Sequence, residues 1–306
     1  MKDLFLYYLY YSFNYLKALY DAGWENFFDW RDACFYSFAI IFIILERVVP
    51  VRKQTFWRKD FLQDIGFRSF DVIMDILLGS FANLVKTFTA IFVLKTVVGV
   101  AFGLFSNEPY YYQQIFPVKI ENKFLMFSLI IMSQDLLYYL AHFMVHRFSL
   151  FRPFHATHHG IEKLDWLSGF RGDFIEMIIM GLLTNLTFVF IDVTAKDLVY
   201  LVFFQTLFEF YIHANVRFPN NVITRWINTT RAHWWHHVKK PEFKYGQNFG
   251  GYTLIWDRLF GTYYVGSDYP QELGLPDQAQ YPQSFIPRLI YPYRVFFKNL
   301  LKLLPK

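Results

Sequence analysis

Apolar segments interrupted by single polar residues make up most of the first 215 positions of the chain. No segment reaches the roughly 18 uninterrupted apolar residues of a standard transmembrane helix. Polar residues inside such segments are typical of a helical bundle whose inner faces carry chemistry. The pattern therefore predicts an all-α, multi-pass transmembrane bundle. The predicted spans are 33–49, 67–105, 124–145, 174–193 and 198–215.

Two features of this pattern constrain the topology. Basic residues follow Val49 and follow His146, and positively charged loops favour the cytoplasm. If both loops are cytoplasmic, segment 67–105 crosses an odd number of times, and we favour one crossing plus a re-entrant or interfacial piece. The link 194–197 is short enough to make spans 174–193 and 198–215 an antiparallel hairpin. His213 and the polar region after it then form a cytoplasmic cap on an integral membrane protein.

The composition agrees with a membrane protein. Of 306 residues, 55% are hydrophobic and 22% aromatic, whereas only 18% are charged, against roughly 25% in a typical soluble domain. Such a chain is neither disordered nor readily soluble. The single cysteine, Cys34, excludes an intramolecular disulfide and a cysteine-based metal site. The net charge of +5 is too diffuse to predict nucleic-acid binding.

The charged residues near the C-terminus are all basic and follow a regular spacing. After Asp277 every charged residue is basic. Arg294, Lys298, Lys302 and Lys306 are spaced by four, so they would share one face of a helix. The tail is predicted to be a basic amphipathic helix on an anionic membrane surface. The alternative is a solvated helix packed on the protein.

Nine histidines lie between positions 142 and 237, and they fall into clusters. Residues at i, i+3 and i+4 share one helical face, so each cluster can direct several imidazoles at one point. Neutral imidazole is a good ligand for iron, zinc, copper or nickel. Nine ligands exceed the needs of one ion and predict two ions, with about four imidazoles each. The candidate ligands are His142 and His146 in HxxxH, His155, His158 and His159 in HxxHH, the isolated His213, and His233, His236 and His237 in a second HxxHH.

Other catalytic motifs are missing from the sequence. Phe143 stands where the HExxH motif of zinc proteases has its general-base glutamate. Neither a GxSxG motif nor a P-loop occurs. The glycines of GQNFGG do not follow a strand in a βαβ unit, so they predict no dinucleotide site and no bound organic cofactor.

The histidine clusters, together with GGYTLIWDRLFGTY after the last one, resemble the fatty acid hydroxylase and sterol desaturase superfamily of integral-membrane di-iron enzymes. The similarity covers about residues 133–263 and includes Asp135, Tyr139 and the stretch HHGIEKLDWLSGFR. It divides the chain into an N-terminal membrane region (1–123), a fatty acid hydroxylase-like catalytic region (124–265) and a tail with the basic helix (266–306).

The resemblance implies a lipid oxygenase. The eight clustered histidines would hold two iron ions, with His213 as a ninth ligand or a close partner. The enzyme would use O2 and two electrons to hydroxylate or desaturate an unactivated C–H bond of a lipid taken from the bilayer. A separate donor, a b-type cytochrome or a ferredoxin with its reductase, would supply the electrons. Zinc can occupy the site in purified material because it binds nitrogen ligands more tightly than ferrous iron.

Four further residues are candidates for supporting the ligands. Asp135 shares a helical stripe with His142 and His146, where it could orient an imidazole or bridge through water. Glu209 precedes His213 by four residues and could bond its ring. Asn248 and Asp257 are expected to fix the cap around the metals.

Two other functions remain open at this stage. A metal transporter would spread its histidines across the depth of the membrane. A bis-histidine heme protein for electron transfer would need only paired histidines on facing helices and would leave both HxxHH motifs unexplained.

Overall fold

The computed structural model describes residues 24–74, 77, 118–219, 221–240, 242 and 246–303. The N-terminal segment, most of apolar segment 67–105, the aromatic linker up to residue 117 and Lys306 lie outside the described residues. The number of crossings in 67–105 therefore stays a prediction.

The regular elements of the described residues are helices, with no β-strand and only isolated bridges. The all-α prediction is confirmed for this part of the chain. In chain order the helices are α1 (Trp24–Val48), α2 (61–74), α3 (Lys123–Arg147), α4 (Arg152–His159), α5 (Phe174–Thr184), α6 (Thr187–Phe190), α7 (Ala195–His213), α8 (Thr230–His236), α9 (Ile255–Phe260) and α10 (Phe285–Leu301).

Polar caps set where four of these helices begin. Side-chain oxygens of Asn122, Asp173 and Thr229 accept backbone N–H groups in the first turns of α3, α5 and α8. Thr194 and Asp197 form a reciprocal capping box at the start of α7. Each cap satisfies N–H groups that have no partner inside the helix. These caps fix the starting points of helices that carry the histidines or pack on those that do.

α3 is the one helix among the described residues that is long and apolar enough to cross a membrane. It has 25 residues, about 37 Å at 1.5 Å per residue, and it contains the predicted span 124–145. The multi-pass arrangement and the cytoplasmic side of the cap stay predictions.

Segment 174–193 differs from the single helix predicted for it. α5 ends at Thr184, and the N–H of Asn185 bonds back to the carbonyls of Gly181 and Leu183 before α6 begins. With 11 residues, α5 is about 17 Å long, shorter than the hydrocarbon core of about 30 Å. It packs mainly on α3, whereas α7 packs mainly on α1. The predicted antiparallel hairpin is therefore wrong.

Aromatic side chains fill the contact between α1 and α7. Phe38 and Phe42 of α1 surround Phe210 of α7, with ring centroids 6.1 and 5.6 Å from it. Trp166 stacks on the same ring at 6.0 Å. Because Phe210 is fully buried three residues before His213, this packing holds the end of α7 in place.

Glu46, near the end of α1, fixes two loops beside this core. Its Oε1 accepts the backbone N–H of Trp166 at 2.7 Å and that of Asn215 at 2.9 Å. The first bond holds the segment after α4, and the second holds the chain just beyond His213. One buried carboxylate therefore connects α1 to both segments.

A buried network of three arginines and three aspartates holds the segments around α4. Asp64 of α2 accepts Arg58 Nη2 at 2.5 Å and Arg171 Nε at 2.6 Å. The other buried pairs are Arg58 with Asp165 at 2.5 Å and Arg288 of α10 with Asp60 at 3.0 Å. The opposite charges balance, as buried ions require. The network links α2, the segment after α4 and α10.

We expect Asp64→Asn to destabilise the protein strongly, because it leaves two buried guanidinium groups without their shared carboxylate. Breaking a buried ion pair by removing one partner costs about 3–5 kcal/mol. The measurement is the free energy of unfolding in detergent. Glu121→Gln, which breaks the exposed pair with Lys119, is the control and should leave stability unchanged. Equal effects of the two changes would contradict the role of the network.

Candidate metal centre

The nine histidines converge into two groups of ring nitrogens, and the side chains of both groups are buried. Within each group the candidate ligand atoms all lie within 4.8 Å of one another. The first group is His142 and His146 of α3, His155 and His159 of α4, and His236 of α8; the second is His158 of α4, His213 at the end of α7, His233 of α8 and His237 at its C-cap.

The first group centres on His159. Its Nε2 lies 3.1 Å from Nε2 of His146, 3.0 Å from that of His155 and 2.9 Å from that of His236. The Nε2 atoms of His142 and His155 are 3.0 Å apart. The consecutive helices α3 and α4, together with the distant α8, therefore present five nitrogens to one point.

The second group places His213 among the ligands. The Nε2 atom of His213 lies 3.3 Å from that of His158 and 2.8 Å from that of His233. The Nε2 atoms of His233 and His237 are 3.1 Å apart. The sequence did not decide whether His213 is a ninth ligand or a close partner of the ligands. In the structure His213 lies among the candidate ligands.

The HxxHH spacing explains how two short helices serve two groups. In α4 the outer pair, His155 and His159, belongs to the first group, and His158 belongs to the second. In the other motif the outer pair belongs to the second group, and His236 belongs to the first. The outer pair of one motif and the outer pair of the other thus belong to different groups, and each motif contributes to both groups.

Hydrogen bonds at Nδ1 determine which ring nitrogen is free. The Nδ1 atoms of His142, His158 and His236 lie 2.9, 3.1 and 2.6 Å from the backbone oxygens of Phe249, Arg171 and Gln247. A carbonyl oxygen only accepts, so each of these Nδ1 atoms carries the proton. The Nε2 lone pairs are therefore unprotonated and face one another across about 3 Å.

Such an arrangement of lone pairs fits a metal ion. Imidazole nitrogens bound at about 2.1 Å at right angles to each other are about 3.0 Å apart, whereas tetrahedral ligands are about 3.4 Å apart. Most of the measured separations, 2.8–3.3 Å, match the right-angle value. The donor set of each group therefore fits a metal ion.

Burial keeps the histidines of the two HxxHH motifs neutral. Desolvation, followed by repulsion from neighbouring imidazoles, lowers the pKa of His155 to about 3. The same causes hold the pKa values of His158, His159, His233, His236 and His237 well below the ordinary histidine value. At neutral pH these rings are in the form that binds a metal.

Two carboxylates contact ligand histidines. Glu176 of α5 is buried, and its Oε1 accepts Nδ1 of His155 at 2.5 Å. The Oε1 of Glu209 lies 3.1 Å from Nδ1 of His213, whose second acceptor is the Glu209 backbone oxygen at 3.0 Å. A carboxylate on the far ring nitrogen orients the ring and makes it a stronger ligand. Each group of histidines thus has one such carboxylate.

Sequence reasoning missed Glu176. The residue is the lone charged side chain in the apolar segment 174–190, and carboxylates in such segments are usually functional. The presence of a single charged residue in an apolar segment was the signal that could have identified Glu176. The residue's distance along the chain from His155 gave no indication of which imidazole it meets.

Asp135 binds backbone rather than an imidazole. Its carboxylate accepts the N–H of Tyr252 at 2.7 Å, and both the N–H and the hydroxyl of Thr253, at 3.1 and 2.6 Å. The residue lies on the same stripe of α3 as His142 and His146, as predicted. Its contact ties the chain after residue 251 to α3.

Asn248 and Asp257 fix the loop that orients two ligands. Asp257 accepts the N–H groups of Phe249 and Gly250 at 2.7 and 2.9 Å. Asn248 bonds the backbone of Ala232 in α8 and of Tyr264. The carbonyls of this loop, at residues 247 and 249, are the acceptors for His236 and His142. Both residues therefore act on the ligands through the backbone.

Two glycines allow the backbone to pass close to the rings. A Cβ at Gly169 would lie 2.5 Å from Nδ1 of His213, and one at Gly246 would lie 2.8 Å from Nδ1 of His146. Gly246 also has a φ of +77°, which side chains other than that of glycine rarely adopt. No larger residue fits at either position without displacing a ligand.

Residues 127–262 match the family model described as fatty acid hydroxylase. The alkylglycerol monooxygenase of Caenorhabditis elegans is 28% identical over 132 residues, 42% of this chain and 25% of that protein. The human alkylglycerol monooxygenase is 28% identical over 131 residues, 42% of this chain and 28% of that protein. This chain therefore spans only about a quarter of these relatives.

A bacterial relative matches over a longer stretch. The ornithine lipid hydroxylase OlsE of Rhizobium tropici is 23% identical over 267 residues, 86% of this chain and 76% of that protein. No solved structure matches the chain at a significant level. The matched region 127–262 contains all nine histidines and the loop that orients them, so the resemblance to the fatty acid hydroxylase superfamily is confirmed over this region.

Proposed function

We propose that the protein is a membrane-bound di-iron oxygenase that uses O2 and two electrons to oxidise an unactivated C–H bond of a lipid. The observation that carries the proposal is the convergence of nine buried imidazoles into two adjacent groups whose unprotonated nitrogens face one another. Two iron ions bound there would supply the activation of O2. The names of the relatives favour hydroxylation over desaturation.

The residues of the chain hold and orient these ligands. In five of the nine histidines, a backbone oxygen or the carboxylate of Glu176 or Glu209 accepts from Nδ1, which leaves Nε2 free to bind the metal. The low pKa values of the buried rings prevent protonation from competing with metal binding.

The arrangement argues against the two alternatives. A transport path needs ligands at successive depths, but the nine histidines form two compact groups. A porphyrin does not fit between ring nitrogens about 3 Å apart. We therefore retain the oxygenase as the proposed function.

Substrate and electrons would come from outside the chain. The relatives' names point to a lipid, which would reach the site from the bilayer. With one cysteine, the sequence has no ligand set for an iron-sulfur cluster. We propose a b-type cytochrome, or a ferredoxin with its reductase, as the separate donor, docking on the cytoplasmic side.

Metal analysis tests the two groups separately. Protein loaded anaerobically with ferrous iron should contain two irons per chain, because zinc then cannot compete. His146→Ala and His233→Ala should each reduce the content to about one, since each removes a ligand from a different group. Thr157→Ala, in α4 between ligands, is the matched control and should keep two. A Soret band, or full iron content in both histidine variants, would rule the assignment out.

The two carboxylates should differ in importance. Glu176→Gln should weaken iron binding by about 10–100-fold, the usual effect of losing a group that orients a metal ligand. Glu209→Gln should have a smaller effect, because the Glu209 backbone oxygen also accepts from His213. Competition with an iron chelator measures both affinities. An equal effect of the two substitutions would show that the backbone acceptor does not support His213.

Mass spectrometry of cellular lipids tests the reaction. Cells that produce the protein should contain a lipid with one added oxygen, and cells that produce the His158→Ala variant should lack it. A product that has instead lost two hydrogens would identify a desaturase. Identical lipid profiles in producing and non-producing cells, with the protein iron-loaded, would contradict the proposed activity.

A further inference from the structure

Helix α10 is held to the protein by one buried face. Arg288 and Pro292 are buried on this face. Tyr293 and Phe296 contact the ring of Phe154 in α4, with centroids 5.7 and 5.3 Å away. α4 is the helix that carries three of the candidate metal ligands. The buried face of α10 is therefore part of the support of the metal centre.

A second face of α10 is apolar and exposed. Ile286, Ile290, Phe297 and Leu301 are between 53% and 68% exposed. Their spacing, at positions i, i+4, i+11 and i+15, places them in one stripe along the helix. An apolar stripe four turns long on the outside of a protein needs a partner.

Basic residues run beside this stripe. Arg294, Lys298 and Lys302 are exposed and follow one another at intervals of four. The segment from residue 278 to the end of the sequence contains no acidic residue. A cationic stripe that borders an apolar one is complementary to a surface with anionic headgroups above acyl chains.

The C-terminal half of α10 lies where the candidate span α3 ends. The Asn299 side chain donates to the backbone oxygen of Ser149 at 2.9 Å, two residues beyond Arg147. The neighbouring Phe148 is 52% exposed, and aromatic residues are common at the membrane interface. If α3 crosses the bilayer, the C-terminal half of α10 lies at the level of the lipid headgroups.

We propose that α10 docks on an anionic lipid surface, with its apolar stripe in the headgroup boundary and its basic stripe on the lipid phosphates. The proposal rests on the membrane location of α3 in the proposed function. It gives α10 two opposite contacts, lipid on one side and α4 on the other. The helix would therefore set how far the metal centre lies from the bilayer surface.

Fluorescence quenching tests the docking in the full chain. Cys34 is the only cysteine, so C34S gives a background for single labels. A bimane label at F297C should be quenched by doxyl groups high on the acyl chains in nanodiscs that contain phosphatidylglycerol. It should be quenched less in nanodiscs of phosphatidylcholine alone. A label at L129C, in the second turn of α3 and 43% exposed, reports separately whether α3 lies in the bilayer.

Charge variants on α10 provide the matched control. K298E/K302E should reduce the quenching in anionic nanodiscs to the level in phosphatidylcholine, whereas K298R/K302R should keep it. Equal doxyl quenching in the two lipids, or quenching of F297C by aqueous iodide alone, would overturn the proposal. Protection from both quenchers with cross-linking into dimers would identify a second copy as the occupant and would also overturn it. Loss of quenching at L129C would instead count against the proposed membrane location of α3.

Discussion

Repulsion between unprotonated imidazole nitrogens is the interaction on which the rest of the structure depends. Nine buried rings point nitrogens at one another, and in five of them the other nitrogen bonds a backbone oxygen or a carboxylate. Protonation of His158 or His233 does not relieve this contact at neutral pH, because burial lowers the pKa values of these rings. A cation at each group would relieve this repulsion, which is the physical reason for the proposed metal centre.

The ligands are oriented mainly through main-chain atoms. Asp257 and Asn248 never touch an imidazole, yet they fix the loop whose carbonyls accept from His142 and His236. Arg171 combines the two roles, because its side chain belongs to the buried ion network and its carbonyl accepts from His158. The rigidity of the centre therefore originates in loops and in buried charges as much as in the helices.

The sequence was sufficient to predict the helical class and the clustering of histidines. Spacing of three and four residues is a local property of a helix, so HxxxH and HxxHH predict shared faces without any knowledge of the fold. The division into groups of five and four was not predictable, because it depends on where α8 meets α4. Pairing of Glu176 with His155 depends in the same way on the packing of α5 against α3.

Errors in the prediction have local physical causes. The hairpin of spans 174–193 and 198–215 failed because hydropathy does not register the break at Asn185, where α5 ends. The burial of Arg58, Arg171 and Arg288, each beside an aspartate, was not predicted from the sequence. Charge pairing between distant segments is invisible to a pattern of hydrophobic positions.

The alternation of ligands along α4 and α8 also ties the two centres together. Adjacent residues such as His158 and His159 differ by about 100° around the helix axis, and they belong to different groups of nitrogens. The distance between the two groups is therefore determined by helical geometry rather than by flexible loops. One residue inserted between the histidines of either short helix would rotate the following imidazoles by about 100° and direct them away from their group. The length of these two helical segments therefore cannot change without disturbing both groups.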